Sequence, residues 1–234
     1  MPSPRRASAS PALPSRADGV PLREAVVLFG CLVVAIILHE ISHGVVALWC
    51  GDDTAKRAGR LTLNPVSHVD PFGSLILPAM GALAGLPVIG YAKPVPVNPQ
   101  LLRRPRRDMV LVSLAGPTTN FLLMAFAALA ARFLVAQGRG LGGALDASTS
   151  DLVVEIVFSF AVVNLLLGVF NLLPIPPLDG SALLERALPQ GWLPTWYRFR
   201  PYGLAVIFVL VFFTGIISTL ITPFYDALYN FVVS

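Results

Sequence analysis

The stretch "VVAIILHEISHGVVALW", Val33 to Trp49, sets two histidines and a glutamate in the middle of an apolar run. A charged side chain at the centre of a bilayer costs about 2.5–3.5 kcal/mol on insertion scales, so a run of this kind is either not in a membrane or kept there by a function. The rest of the chain argues for the membrane. Of its 234 residues, 55% are hydrophobic and only 13% charged, and the mean hydropathy of +0.73 lies far from that of soluble domains. Apolar segments occupy residues 25–49, 74–91, 109–136, 152–173 and 203–222, with a shorter apolar tail at 223–233; about 20 apolar residues cross the hydrocarbon core.

The expected fold is therefore an all-α polytopic membrane protein of about five or six transmembrane or re-entrant segments. Short membrane-associated strands or turns are expected between the first and third segments, because "GRLTLNPVSHVDPFGS" and "AKPVPVNPQLLRRPRRD" mix Pro, Gly and Asn with β-branched alternation. Pro78, Gly81, Gly85 and Pro87 interrupt residues 74–91, which predicts a re-entrant segment or short hairpin rather than a plain span. Residues 1–23, rich in Pro, Ser, Ala and Arg, read as a disordered arm, and 24–234 as a single domain. The net charge of +4 does not point to nucleic acid. Basic residues flanking apolar spans mark loops that face the cytoplasm and anionic lipid, so the bilayer is the expected partner. Cys31 and Cys50, about 28 Å apart along one helix, cannot pair with each other.

His39 and His43 stand at i and i+4, which puts both imidazoles on one helix face with Glu40 beside them. HExxH on a helix supplies two zinc ligands and a carboxylate placed to take a proton from water. In a soluble helix such a pattern arises by chance; within an apolar span the cost of unpaired polar groups argues for a metal. A catalytic zinc needs a third protein ligand. Asp52, Asp53, His68, Asp70, Asp146, Asp151, Asp179 and Asp226 are the candidates. Asp179 stands out because it closes "NLLPIPPLDG", in which Pro174, Pro176 and Pro177 end a helix and turn the chain back. The same segment also suits a helix-ending loop with a solvated Asp, and the residues alone leave the choice open.

"HEISHG" in the first span and "NLLPIPPLDG" after a later one resemble the site-2 protease family, the intramembrane zinc metalloproteases of peptidase family M50. "GRLTLNPVSHVDPFGSLILP", "AKPVPVNP" and "SLAGPTTNF" resemble its bacterial members too. The resemblance runs from about His39 to Gly180. It implies one zinc ion per chain held by His39, His43 and Asp179, Glu40 as the catalytic carboxylate, and transmembrane protein substrates. The chain resembles the compact bacterial type, without room for a PDZ domain or a CBS pair.

Other polar residues are weighed against plainer roles. His68 and Asp70, in "SHVDP", read as turn residues before a second metal site. Asn120 and Asn171 sit in apolar spans, where an amide must find a partner; either is a candidate contact for a substrate carbonyl or its oxyanion. The rival to proteolysis is a cation transporter with these residues as stations on a metal path. Transport predicts ionisable groups spread over several helices and an inverted repeat, and the sequence has one cluster and no internal repeat. Ligands of one ion share one depth, so the first span and the segment 152–173 must run toward the same side. Arg103, Arg104, Arg106 and Arg107 mark that side as cytoplasmic, in a bacterial inner or plasma membrane. Accordingly, a reporter fused to the N-terminal arm is expected outside the cell, and one in the Arg103–Arg107 loop inside it, by an accessibility assay on intact cells.

Overall fold

The computed structural model describes residues 22–68, 93–138, 140 and 151–234. In hydrocarbon a backbone can satisfy its own polar groups only within a helix or a closed barrel, and the apolar runs among the described residues are helices. Their order is α1 (Leu22–Trp49), the short α2 (Thr54–Arg57), α3 (Pro105–Ala136), α4 (Leu152–Asn171), the short α5 (Gly180–Ala187), α6 (Leu193–Phe199) and α7 (Gly203–Val209), and finally α8 (Ile216–Val233). Among the described residues, helices α1, α3, α4 and α8 and the helical run Gln190–Thr214, which includes α6 and α7, are the five elements long and apolar enough to span a membrane. Arg104 precedes Pro105 at the first turn of α3, where a missing N–H costs nothing, and its own N–H is accepted by Asp108 at 2.8 Å. Asp151 caps α4 by accepting from the Val153 N–H at 2.9 Å.

Contacts along the bundle fix the helix directions. Arg23 pairs with Glu155, and the Cys31 thiol approaches the Ile156 carbonyl at 3.7 Å, so α1 and α4 run the same way. The Arg103 N–H donates to the Cys50 carbonyl at 3.0 Å while Asn120 meets His39, so α3 runs against α1. The depth condition drawn from the sequence is thus met, with the arginine-rich start of α3 at the end where α4 delivers the Asp179 loop.

Packing follows the rule for helices in lipid, where association rests on close backbone approach rather than on a hydrophobic drive. Ala35, Ala47, Ala127, Ala128, Ala131 and Ala161 are buried at helix contacts, whereas large side chains such as Phe126, Phe133 and Phe213 are 64–75% exposed. Leu228 and Val232 of α8 pack on Ala127, Ala128 and Ala131 of α3 and on Phe158 of α4. Arg132, near the C-terminal end of α3, donates to the Phe231 carbonyl and to the Ser234 hydroxyl, closing the end of α8.

One expectation is revised, and a second is unmet among the described residues. The apolar stretch 203–222 is not one span: Gly215, at φ 64°, ends one helical run at Thr214 and α8 begins at Ile216. Only a residue free of the Cβ penalty adopts that backbone easily, but a glycine inside an apolar run does not announce a break. No strand is present among the described residues; Pro65–His68 and Pro99–Leu101 are single 3-10 turns, and 93–98 is irregular. Pro94 and Pro96 lack the N–H that a ladder needs. The segment 74–91 lies outside the described residues, as does the arm 1–23 apart from Leu22 and Arg23, which open α1.

The proline loop after α4 is held by two glycines. A Cβ on Gly180 would meet the Leu172 carbonyl oxygen at 2.2 Å, and one on Gly203 would meet that of Pro176 at 1.9 Å. Backbone on backbone cannot yield cheaply, and overpacking of this kind costs about 1–3 kcal/mol. Gly203→Ala is expected to lower the melting temperature in detergent. Gly30→Ala, whose Cβ meets nothing within 4 Å, should leave it unchanged or raise it.

Candidate metal centre

His39 and His43 project from α1 toward α3 and α4, both buried, with their rings edge to face at 4.6 Å between centroids. Their Nε2 atoms are 3.0 Å apart. Asp179 Oδ2 lies 3.2 Å from His39 Nε2 and 3.3 Å from His43 Nε2, and it is buried with no hydrogen-bond donor of its own. The structure therefore brings together the three residues that the sequence separates by 140 positions, from His39 to Asp179.

Hydrogen bonding at the back of each imidazole settles what faces the centre. The Phe160 carbonyl can only accept, so Asn164 presents Nδ2 to it at 2.8 Å and turns Oδ1 toward Asn120. Asn120 then donates through Nδ2 to that oxygen at 2.8 Å and offers its own Oδ1 to His39 Nδ1 at 2.6 Å. His39 must carry its proton on Nδ1. His43 Nδ1 likewise donates to the Val112 carbonyl at 2.7 Å. In the neutral imidazoles both Nε2 atoms then present bare lone pairs to each other and to a carboxylate oxygen. Three lone pairs at 3.0–3.3 Å repel unless a cation sits among them, and in a tetrahedral shell with ligands at about 2.0–2.1 Å neighbouring ligand atoms lie about 3.3–3.4 Å apart. The donor set, two imidazoles and a carboxylate, is that of catalytic zinc. Zinc fits the residues present.

Two glycines let the surrounding elements close on the histidines. A Cβ on Gly116 of α3 would stand 2.4–2.6 Å from His39 Cε1 and Nε2 and His43 Nε2. One on Gly44 would meet Leu61, Ala55 and Val95 at 2.5–3.1 Å, so the final glycine of "HEISHG" lets these three apolar side chains close on α1.

Glu40 is half-buried and accepts at Oε2 from the Val95 N–H at 2.8 Å. Asn120 is fully buried against His39, whereas Asn171, half-buried, donates to the Leu167 carbonyl of its own helix at 3.0 Å. Among the other third-ligand candidates, His68 bonds the Thr62 carbonyl at 2.9 Å, Asp53 pairs with Arg57 at 2.7 Å, and Asp52 accepts from Thr54 and from the Asn98 N–H. Burial alone would raise the Asp52 carboxyl, but hydrogen bonds from Thr54 and Asn98 hold it below its ordinary range. Asp70 and Asp146 lie outside the described residues. The sequence reading missed Asn164, although the same signal that singled out Asn120 and Asn171, an amide in an apolar span, was there to find it.

A sequence profile of the family described as Peptidase family M50 matches residues 135–214, which include Asp179 and not the histidine pair. The chain is 38% identical over 196 residues to YwhC of Bacillus subtilis (strain 168), named as a candidate zinc metalloprotease, with 84% of each chain covered. It is 36% identical over 185 residues to Rip2 of Mycobacterium tuberculosis (strain ATCC 25618 / H37Rv), another candidate zinc metalloprotease by name, covering 77% of this chain and 64% of Rip2. With zinc metalloprotease MJ0392 of Methanocaldococcus jannaschii it shares 23% identity over 194 residues, 82% of this chain and 43% of that protein. No solved structure matches the chain.

Purified in detergent, the protein is expected to hold about one zinc per chain, and Asp179→Ala to release it. Asn164→Leu, which removes the group that orients Asn120 and through it His39, should weaken zinc binding by about 10–100-fold. Asn171→Leu should not. Metal analysis after dialysis against graded chelator measures all three.

Proposed function

The chain belongs to peptidase family M50, the site-2 proteases, and is a zinc metalloprotease; from this we propose that it cuts peptide bonds within or at the edge of transmembrane helices of other membrane proteins. The observation that carries the proposal is the lone-pair triangle of His39, His43 and Asp179 inside an apolar bundle, with Glu40 next to it on α1. Zinc held there supplies a Lewis acid toward a peptide carbonyl and lowers the pKa of water.

The chain's own residues do the rest. His39, His43 and Asp179 hold the ion, and Asn120 and Val112 keep the two imidazoles in the tautomer that can bind it. Glu40 projects about 100° around the helix from His39, which keeps it out of the ligand set and beside it. With Oε2 fixed by the Val95 N–H, its other oxygen takes a proton from water and passes it to the leaving nitrogen. Asn171 spends one amide hydrogen on Leu167 and keeps a second for a substrate carbonyl. Asn120, turned to His39, serves the metal side of the reaction.

A substrate helix has to open locally, because an intact helix shields its peptide bonds. Single-span proteins with helix-breaking residues, already trimmed outside, are the substrates this mechanism suits, as in regulated intramembrane proteolysis. Water has to reach the site as well. The arginine-rich start of α3 lies at the same end of the bundle as the Asp179 loop, which supports a site near the cytoplasmic face of a bacterial inner or plasma membrane. A transport path would string metal-holding groups through several helices; among the described residues there is a single such cluster, that of His39, His43 and Asp179.

Glu40→Gln keeps shape and removes the base. In detergent, with a single-span probe helix interrupted by Asn-Pro-Gly and labelled at both ends, the variant is expected to keep its zinc and to cut about 10²–10⁴-fold more slowly. His39→Ala should lose both zinc and cleavage. A wild-type chain that leaves the probe whole, or a Glu40→Gln variant that cuts at the wild-type rate, would sink the proposal.

A further inference from the structure

Arg60 is a buried cation whose partners among the described residues include no carboxylate. Only 8% of its surface is exposed, and its guanidinium grips three backbone carbonyls: Ser67 through Nη1, and Lys93 at 2.6 Å and Pro94 at 3.3 Å through Nη2. Burying a guanidinium to hold loop carbonyls is costly unless the geometry it fixes is used. The geometry it fixes is that of residues 93–95. Lys93 also donates its N–H to the His68 carbonyl at 2.9 Å, so the clamp ties the 60–68 turn to this run from both sides. The next N–H along the chain, that of Val95, donates to Glu40 Oε2 at 2.8 Å. Three residues further on, the Asn98 N–H is held by the buried Asp52 at 2.6 Å. The run is thus pinned at 93–94 and at 98, and between the pins it presents one N–H to one carboxylate.

The rest of the contact supports the same reading. The Val95 side chain is buried and rests where Gly44, one turn after Glu40, leaves room on α1. Pro94 and Pro96 on either side of Val95 fix φ at their own positions, so the direction of the Val95 N–H depends on how the segment is anchored rather than on local relaxation. A lysine could not do what Arg60 does, since one ammonium lacks the planar fork that reaches carbonyls on two separate segments.

We propose that Arg60 is a positioning residue for Glu40, acting through the backbone of residues 93–95 to aim the Val95 N–H at the carboxylate. The inference rests on the reading of Glu40 as the base that moves the proton. Arg60 touches neither substrate nor metal ligand in this arrangement. Its effect reaches the reaction as a constraint on where one carboxylate oxygen lies, and a displacement of about 1 Å in a reacting group costs on the order of 10²-fold in rate.

Two variants test it in the full-length chain, with the same labelled probe helix. Arg60→Met keeps the aliphatic stem and removes the fork; Val95→Pro keeps a side chain of similar bulk and removes the donated N–H itself. Each is expected to retain one zinc per chain and a KM within about twofold of wild type, with kcat lower by about 10–10²-fold. Amide exchange over residues 93–98 should quicken in Arg60→Met. An unchanged kcat in either variant overturns the proposal, and so does a loss of zinc or of probe binding that parallels the loss of kcat, since that is what a purely structural arginine would give. The two readings fail separately. Glu40→Gln cutting at the wild-type rate removes the base assignment, whereas an inactive Glu40→Gln beside a fully active Arg60→Met removes only the role of Arg60.

Discussion

Two imidazole nitrogens and a carboxylate oxygen, all with their lone pairs turned to one point at separations of 3.0–3.3 Å, repel one another in a medium of low dielectric constant. Everything around them is arranged to hold that repulsive geometry in place until a cation relieves it. The backbone carbonyls of Phe160 and Val112 set the polarity of the hydrogen bonds behind the histidines. Two asparagines relay it from α4 through α3 to α1. Gly116 lets α3 approach without a side chain in the space between the rings. The proline loop delivers Asp179, and it is packed so closely on Gly180 and Gly203 that neither position has room for a methyl group.

The same constraint explains the mixture of small apolar and amide residues at the helix contacts. In lipid, helices gain little from burying more hydrocarbon, and small side chains that bring backbones together serve better than leucine. The alanines of α1, α3 and α4 do this, and large apolar side chains such as Phe126 and Phe133 face outward. An unpartnered amide in that setting costs several kcal/mol. Asn120 and Asn164 are tolerated because each completes the other, and the pair ends on groups that complete it in turn.

Much of this was legible in the sequence, because cost is legible. His39, Glu40 and His43 stand out in an apolar run for the price of placing them there, and Asp179 stands out through the three prolines before it. The parallel course of α1 and α4 followed from requiring the ligands of one ion to share a depth. What the sequence hid is of a different kind. Gly215 divides an apolar run that reads as continuous, because hydropathy records composition and not the sign of φ. Asn164 differs from Asn171 only in what lies across the bundle, since both also bond the carbonyl four residues back on their own helix. The clamp made by Arg60 joins a turn to a run more than 30 residues away through backbone atoms, and backbone atoms leave no mark in residue identity.

The central claim is that the triangle of lone pairs is a zinc site with two histidines and one carboxylate. X-ray absorption at the zinc edge of the purified protein reads that shell directly. The account predicts about four nitrogen and oxygen ligands at about 2.0–2.1 Å, with the outer-shell scattering of two imidazoles and none of sulfur. A zinc–sulfur distance of about 2.3 Å, or scattering from a single imidazole, would place the metal elsewhere in the chain and contradict it.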